Sequence, residues 1–146
     1  MDILCHAVRR ASLCAEVREM RERMRAELSR SDPGQFDLKQ DAGGIADIEF
    51  LAQYWALKWA ADYPAIVMFP DIIRQLESLA SAGLIEQATV DGLIAAYLRY
   101  RAETHRCSLH DRGTVVDAAP FAEVRARVIE VWTKTMEDPA VRARPL

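Results

Sequence analysis

The sequence predicts an all-α protein, a helical bundle of about five to six helices with one short extended arm near residues 36–39. Three observations carry that expectation. Apolar residues recur at steps of three and four through most of the chain, Pro and Gly clusters punctuate those runs, and only Phe36-Asp37-Leu38-Lys39 breaks the helical period with β-prone character. At 146 residues the chain fits one domain, long enough to bury about 68–70% of its unfolded surface.

The elements follow in order. Leu13, Val17, Met20, Met24 and Leu28 step by three and four along one expected apolar stripe, while Glu16, Arg18, Glu19, Arg21, Glu22, Arg23 and Arg25 read as a solvated face of mixed sign. Ser31-Asp32-Pro33-Gly34 stops that helix and leads into the arm. From Ile45 to about Asp62, Ile48, Leu51, Ala52, Trp55 and Trp59 recur at helical spacing, with Phe50, Tyr54 and Leu57 widening the stripe, so this helix is expected to be central. Tyr63-Pro64 should end it, and Phe69-Pro70-Asp71 should open the next, with Ile73, Leu76, Leu79 and Ala80 inward and Gly83 as C-terminal cap. A helix from Ile85 to about Arg106 carries Leu93, Ala96, Tyr97, Tyr100 and Thr104 on one side, and Phe121, Val124, Val128, Val131 and Trp132 mark the last helix. Residues 1–138 read as a single helical domain and 139–146 as a frayed tail.

Composition excludes several function classes. Charged residues make up 28% of the chain and its formal net charge is −3, which gives no large field for nucleic acid or an anionic membrane, and neither is expected as a partner. Cys5, Cys14 and Cys107 lack C-x-x-C spacing, and neither a leader segment nor a long apolar span is visible, so the chain reads as cytoplasmic with free thiols. No metal site is expected: His105 and His110 have no cysteine or carboxylate at ligand spacing. Neither a P-loop nor a G-x-S-x-G elbow occurs, which leaves Glu49 or His105 as the poorly supported base of any small self-sufficient enzyme.

The stretch from Phe36 to Phe50 concentrates the remaining signal. Lys39 precedes the pair Gly43-Gly44, and a helix bearing Asp47 and Glu49 follows. Glycines ahead of a helix allow positive φ and close approach, and a helix start offers N–H groups to an anion, so Lys39, Gly43, Gly44, Asp47 and Glu49 are the expected phosphate-proximal residues. The competing reading makes the glycines a simple turn. Residues two apart on a helix point about 200° from each other, so Asp47 and Glu49 should not share one Mg²⁺. Asp47 then belongs to the first turn as a dipole partner, and Glu49 faces Gln53 one turn on.

These residues also carry a family resemblance. The string F-D-L-K-x-x-x-G-G-I-x-D-I-E-F-x-x-Q-Y from Phe36 to Tyr54, preceded by M-R-E-R-M-R-x-E-L and followed by I-R-Q-L-E-x-L-A-x-A-G-L-I at Ile73 to Ile85, resembles the carboxy-terminal part of the bifunctional glutamine synthetase adenylyltransferases. The first motif is also similar to one in the uridylyltransferase that modifies the PII signal protein. The resemblance implies a helical domain abutting a nucleotidyltransferase domain, in an enzyme that uses ATP and Mg²⁺ to attach AMP to a tyrosine of glutamine synthetase and removes it by phosphorolysis. The Gly-Ser or Gly-Gly turn followed by D-x-D that holds the family's metal occurs nowhere in the sequence. The catalytic domain is therefore expected to be absent from this chain, which should hold no catalytic residue, bind neither ATP nor Mg²⁺ tightly, and be inactive alone. Its implied partners are that nucleotidyltransferase domain, glutamine synthetase and the PII protein. Gln53, Asp71 and Arg74 are candidates for a cleft or partner surface, although Ile72 stands where the family usually has an amide. The alternative function is a module that docks glutamine synthetase or the PII protein through surfaces around Arg74 and Arg101.

Overall fold

The computed structural model describes residues 3–60, 69–110 and 113–136, with side chains from residue 13 onward. Among the described residues the architecture is all-α, with five helices and one two-stranded sheet. The helices are α1 (Ile3–Leu28), α2 (Ile45–Ala60), α3 (Ile72–Ser81), α4 (Gln87–Leu109) and α5 (Ala122–Met136), and a 3₁₀ turn at Ala119–Phe121 leads into α5. The tail and the expected stop at Tyr63-Pro64 lie outside the described residues.

Helix α2 is the axle of the bundle. Ile48, Leu51, Ala52 and Ala56 are wholly buried and Tyr54 and Trp55 nearly so, because α2 packs against α1, α3, α4 and α5. Trp59, expected beside Trp55 in the core, is half-buried under the Lys58 ammonium, 4.7 Å above its ring, and Leu57 is half-exposed.

Helix α3 begins where Asp71 caps it: its carboxylate accepts the N–H groups of Ile73 (2.9 Å) and Arg74 (3.3 Å). It ends as expected at Gly83, whose φ of 74° lets the Leu84 N–H reach back to the Leu79 carbonyl at 3.1 Å. Leu76 and Leu79 are buried, whereas Ile73 and Ala80 are only half so.

The arm is a strand. Its residues Gln35–Asp37 form β1, which pairs antiparallel with β2 (Val115–Asp117), in register Phe36 to Val116. The sequence reading missed β2, a strand of three residues too short to show a period. The pairing seats Phe36 in an aromatic cluster with Tyr100 (5.5 Å between centroids) and Phe121 (5.7 Å).

Helix α1 departs most from its expected face. Met20 is 55% and Leu28 47% exposed, while Arg21, assigned to the solvated face, is fully buried beside Cys14. The helix is rotated because a carboxylate inside the bundle, Asp47, recruits the guanidinium. Cys14 has the packing role expected of it and also donates its thiol to the Met136 carbonyl at 3.2 Å.

Candidate functional site

Residues 36–47 form a knot of backbone and carboxylates between β1 and α2. Asp37 Oδ1 accepts the N–H groups of Lys39 (3.0 Å) and Gln40 (3.1 Å) and the Thr114 hydroxyl (3.0 Å), while Oδ2 accepts the Arg30 N–H at 3.3 Å. Asp41 Oδ2 accepts the Asp37 N–H at 2.8 Å and its Oδ1 takes the Ser29 hydroxyl. Burial alone would push the Asp41 carboxyl up, but hydrogen bonds from Asp37, Ser29 and Ser31 and the Arg125 charge outweigh it and hold it below its ordinary value.

The third carboxylate organises the helix start. Asp47, 1% exposed, accepts the Gly43 N–H on Oδ2 at 2.7 Å and Arg21 Nε on Oδ1 at 2.7 Å, with Arg25 Nη2 at 3.4 Å. Arg21 Nη2 also donates to the Gln40 carbonyl. Burial lowers the Arg21 pKa from its ordinary value, against the charge and hydrogen bond of Asp47, which act to raise it.

This geometry corrects the expectation that the start of α2 looks outward at an anion. The Gly43 N–H goes to Asp47, the Gly44 N–H to the Asp41 carbonyl (3.0 Å), the Ile45 N–H to the Leu38 carbonyl (2.8 Å) and the Ala46 N–H to the Lys39 carbonyl (3.0 Å). No donor among these four remains for phosphate, and Asp47 already answers the positive end of the helix. The glycines are needed because the chain approaches itself. A Cβ on Gly44 would lie 2.5 Å from the Leu38 carbonyl oxygen, and one on Gly43, whose φ is 80°, would lie 2.8 Å from the Arg125 carbonyl oxygen on α5. Arg125 in turn donates to the Ala42 carbonyl at 3.1 Å and stacks 4.2 Å over Phe36.

The predicted residues therefore divide. Gly43, Gly44 and Asp47 are buried in the knot, Glu49 is half-buried, and Lys39 and Gln53 are exposed. Lys39 stands out because both of its own peptide groups are bonded while its side chain is free to reach into solvent. Asp71 caps α3, and Arg74 stacks 5.0 Å over Phe69, so that pair serves helix α3 and its lead-in. Arg101 donates to the Tyr97 hydroxyl at 3.2 Å. Arg21 is the residue that sequence reasoning missed; the surviving signal was its spacing beside Arg25 within M-R-E-R-M-R, four apart on one helix face. Among the described residues no group of three or more His, Cys, Asp or Glu is placed to hold a metal ion, and no helix is long and apolar enough to cross a membrane. A groove of about 470 Å³ between α4 and α5, walled by Trp55, Leu84, Ile85 and Val131, holds none of the candidate site residues.

Fold and knot together define an all-α domain in which the glycine–aspartate motif is a structural closure with one lysine standing outside it. The chain belongs to the family described as GlnD PII-uridylyltransferase, whose model matches residues 15–114. It is also similar to curated proteins named bifunctional glutamine synthetase adenylyltransferase/adenylyl-removing enzyme. One from Thioalkalivibrio sulfidiphilus is 46% identical over 129 residues, 88% of this chain. Those of Nitrosococcus oceani and Hahella chejuensis are 43% and 42% identical over 87% and 94% of it. The chain spans only 13% to 15% of the length of these relatives.

Proposed function

We propose that this chain is an accessory helical domain of an enzyme that transfers AMP from ATP to a tyrosine of glutamine synthetase and removes it by phosphorolysis. The observation that carries this reading is the 46% identity over 129 residues to an adenylyltransferase/adenylyl-removing enzyme. In that setting the domain packs against a nucleotidyltransferase domain, which supplies the ATP and Mg²⁺ chemistry, and is inactive by itself. Lys39 is the residue we place at the shared wall, as a cation held on a loop whose backbone cannot shift when charge arrives. Gly43, Gly44, Asp47 and the half-buried Glu49 serve that wall indirectly, by shaping the loop. The second reading is docking of glutamine synthetase or the PII protein through Arg74 and Arg101, which are exposed and each stacked on an aromatic neighbour.

The test mixes this chain with a separately expressed nucleotidyltransferase domain and glutamine synthetase and follows AMP incorporation. The chain alone should transfer nothing. Association with the catalytic domain should be measurable, and Lys39→Ala should lower transfer on the order of tenfold, about 1.4 kcal/mol, without lowering the melting temperature. A chain that stays monomeric and ignores the catalytic domain overturns the reading.

A further inference from the structure

Helix α5 seals one side of the seam between α1 and α2. On α1, Arg18 lies about 60° round the helix from Arg21, which bonds Asp47, and donates to the Met136 carbonyl of α5 at 3.2 Å. On α2, Trp55 lies about 80° round from Asp47 and walls the groove beside Val128 and Val131 of α5. The other side of the seam is open among the described residues. Met24 and Met20 lie about 60° and about 100° round α1 from Arg21, on the side opposite Arg18. Phe50, Leu57 and Gln53 lie about 60–120° round α2 from Asp47, on the side opposite Trp55. The two strips meet where the Arg21 guanidinium lies 5.9 Å from the Phe50 ring. Met20 is 55% and Leu57 50% exposed, Gln53 is exposed, and Met24 and Phe50 are half-buried. None of these five side chains is charged, whereas Glu16 and Glu27, next round α1, are charged and exposed. An uncharged centre of Met and aromatic side chains within a charged rim is the make-up of an interface. Helix α2 is apolar on nearly every side, and this is the side its neighbours in the bundle leave bare.

We infer that this strip is the docking face for a neighbouring domain of the same polypeptide, and the inference rests on the function proposed above for naming that neighbour as the nucleotidyltransferase domain. Size selects a tethered neighbour over a second copy of the chain. Half-exposed Met20 and Leu57, with the edges of Met24 and Phe50, offer on the order of 300 Å² of apolar surface. A stable interface between free chains buries about 800 Å² on each partner. A domain in the same polypeptide meets the strip at an effective concentration on the order of millimolar, so a smaller contact suffices. Length agrees, because the chain spans only 13% to 15% of the relatives it matches and the rest of such a polypeptide lies outside it. The strip also begins at the motif: the Lys39 carbonyl holds the Ala46 N–H, one turn before Phe50. The complementary surface is therefore apolar at its centre, with basic side chains facing Glu16 and Glu27.

The test titrates the separately expressed nucleotidyltransferase domain, first shown to melt cooperatively, into this chain by calorimetry. Methyl NMR of the chain and its sedimentation alone are recorded beside it. The methyl signals of Met20 and Met24 should shift on binding, while that of buried Met136 should not. Met20→Arg and Leu57→Arg should each weaken binding about tenfold and leave the melting temperature of the chain unchanged. Leu98→Arg, at a position on α4 that is 52% exposed, should bind as the wild type does. The chain alone should sediment as a monomer at micromolar concentration. Binding that Met20→Arg and Leu57→Arg leave intact overturns the docking face and leaves the domain reading standing. Absence of binding by the wild-type chain overturns both. A dimer of the chain alone that Leu57→Arg dissociates also overturns the inference, and assigns the strip to a second copy.

Discussion

At the scale of single residues, Asp47 decides how the motif works. It neutralises a buried arginine, caps the loop N–H of Gly43 and sits in the first turn of α2, so one side chain ties three segments. Asp47→Ala would strand Arg21 as a buried charge, and the expected loss is about 3–5 kcal/mol, read by urea unfolding. The joint change Arg21→Met with Asp47→Leu should cost clearly less than Asp47→Ala, since both desolvation penalties disappear together. Gly44→Ala should unfold the knot as well, because the added carbon meets backbone 2.5 Å away and backbone cannot rotate aside. Asp41 gives a pH dependence whose sign is fixed. Its folded-state pKa lies below the ordinary 3.8, so the stability it contributes is present above that value and is lost as pH falls through the depressed one. Asp41→Asn should therefore flatten the acid limb of stability against pH below about 4 while lowering stability at neutral pH. An unchanged acid limb would show that the carboxylate is not held in this way.

At the scale of elements, the sequence marked the helices well and their faces less well. Period and punctuation located α2 through α5 because each carries apolar residues at three and four with a capping or breaking residue at an end, such as Asp71 and Gly83. Trp55, Leu76, Leu93 and Val128 were legible as core for the same reason. The face of α1 was not, because hydrophobic periodicity assumes that burial follows apolarity, whereas here an internal carboxylate drew in an arginine and turned Met20 and Leu28 outward. A different ambiguity governed the reading of the start of α2: a glycine pair before a helix looks identical whether a ligand or the chain's own backbone makes the close approach. Substitution on α1 separates the two faces. Met20→Lys, on the outward side, should change stability by no more than about 0.5 kcal/mol, while Trp55→Ala on α2 should cost about 3–5 kcal/mol. A large loss from Met20→Lys would restore the stripe expected from the periodicity.

At the scale of the whole molecule, helix α5 closes the bundle although the family match ends at residue 114. It buries Val128, Trp132 and Met136 against the core; the turn before it adds Phe121 to the ring cluster with Phe36 and Tyr100. It also grips the knot from outside through Arg125, and its last described carbonyl, Met136, is held by Cys14 and Arg18 of α1. β2, which lies just beyond the match, supplies the partner of β1. A chain cut after residue 114 would lose these contacts together. Burial of Phe121, Val128 and Met136 is worth about 1.5–3 kcal/mol apiece, and a domain of this size has only about 5–15 kcal/mol in hand. The shortened chain should keep helical circular dichroism but lose the cooperative melt and bind ANS, the signature of a collapsed state without fixed packing. Adding residues 115–146 as a separate peptide should restore part of the transition if the missing segment acts through packing. A truncated chain that melts cooperatively at the original temperature would instead place the stability within residues 15–114 and leave α5 as an ornament on a complete domain.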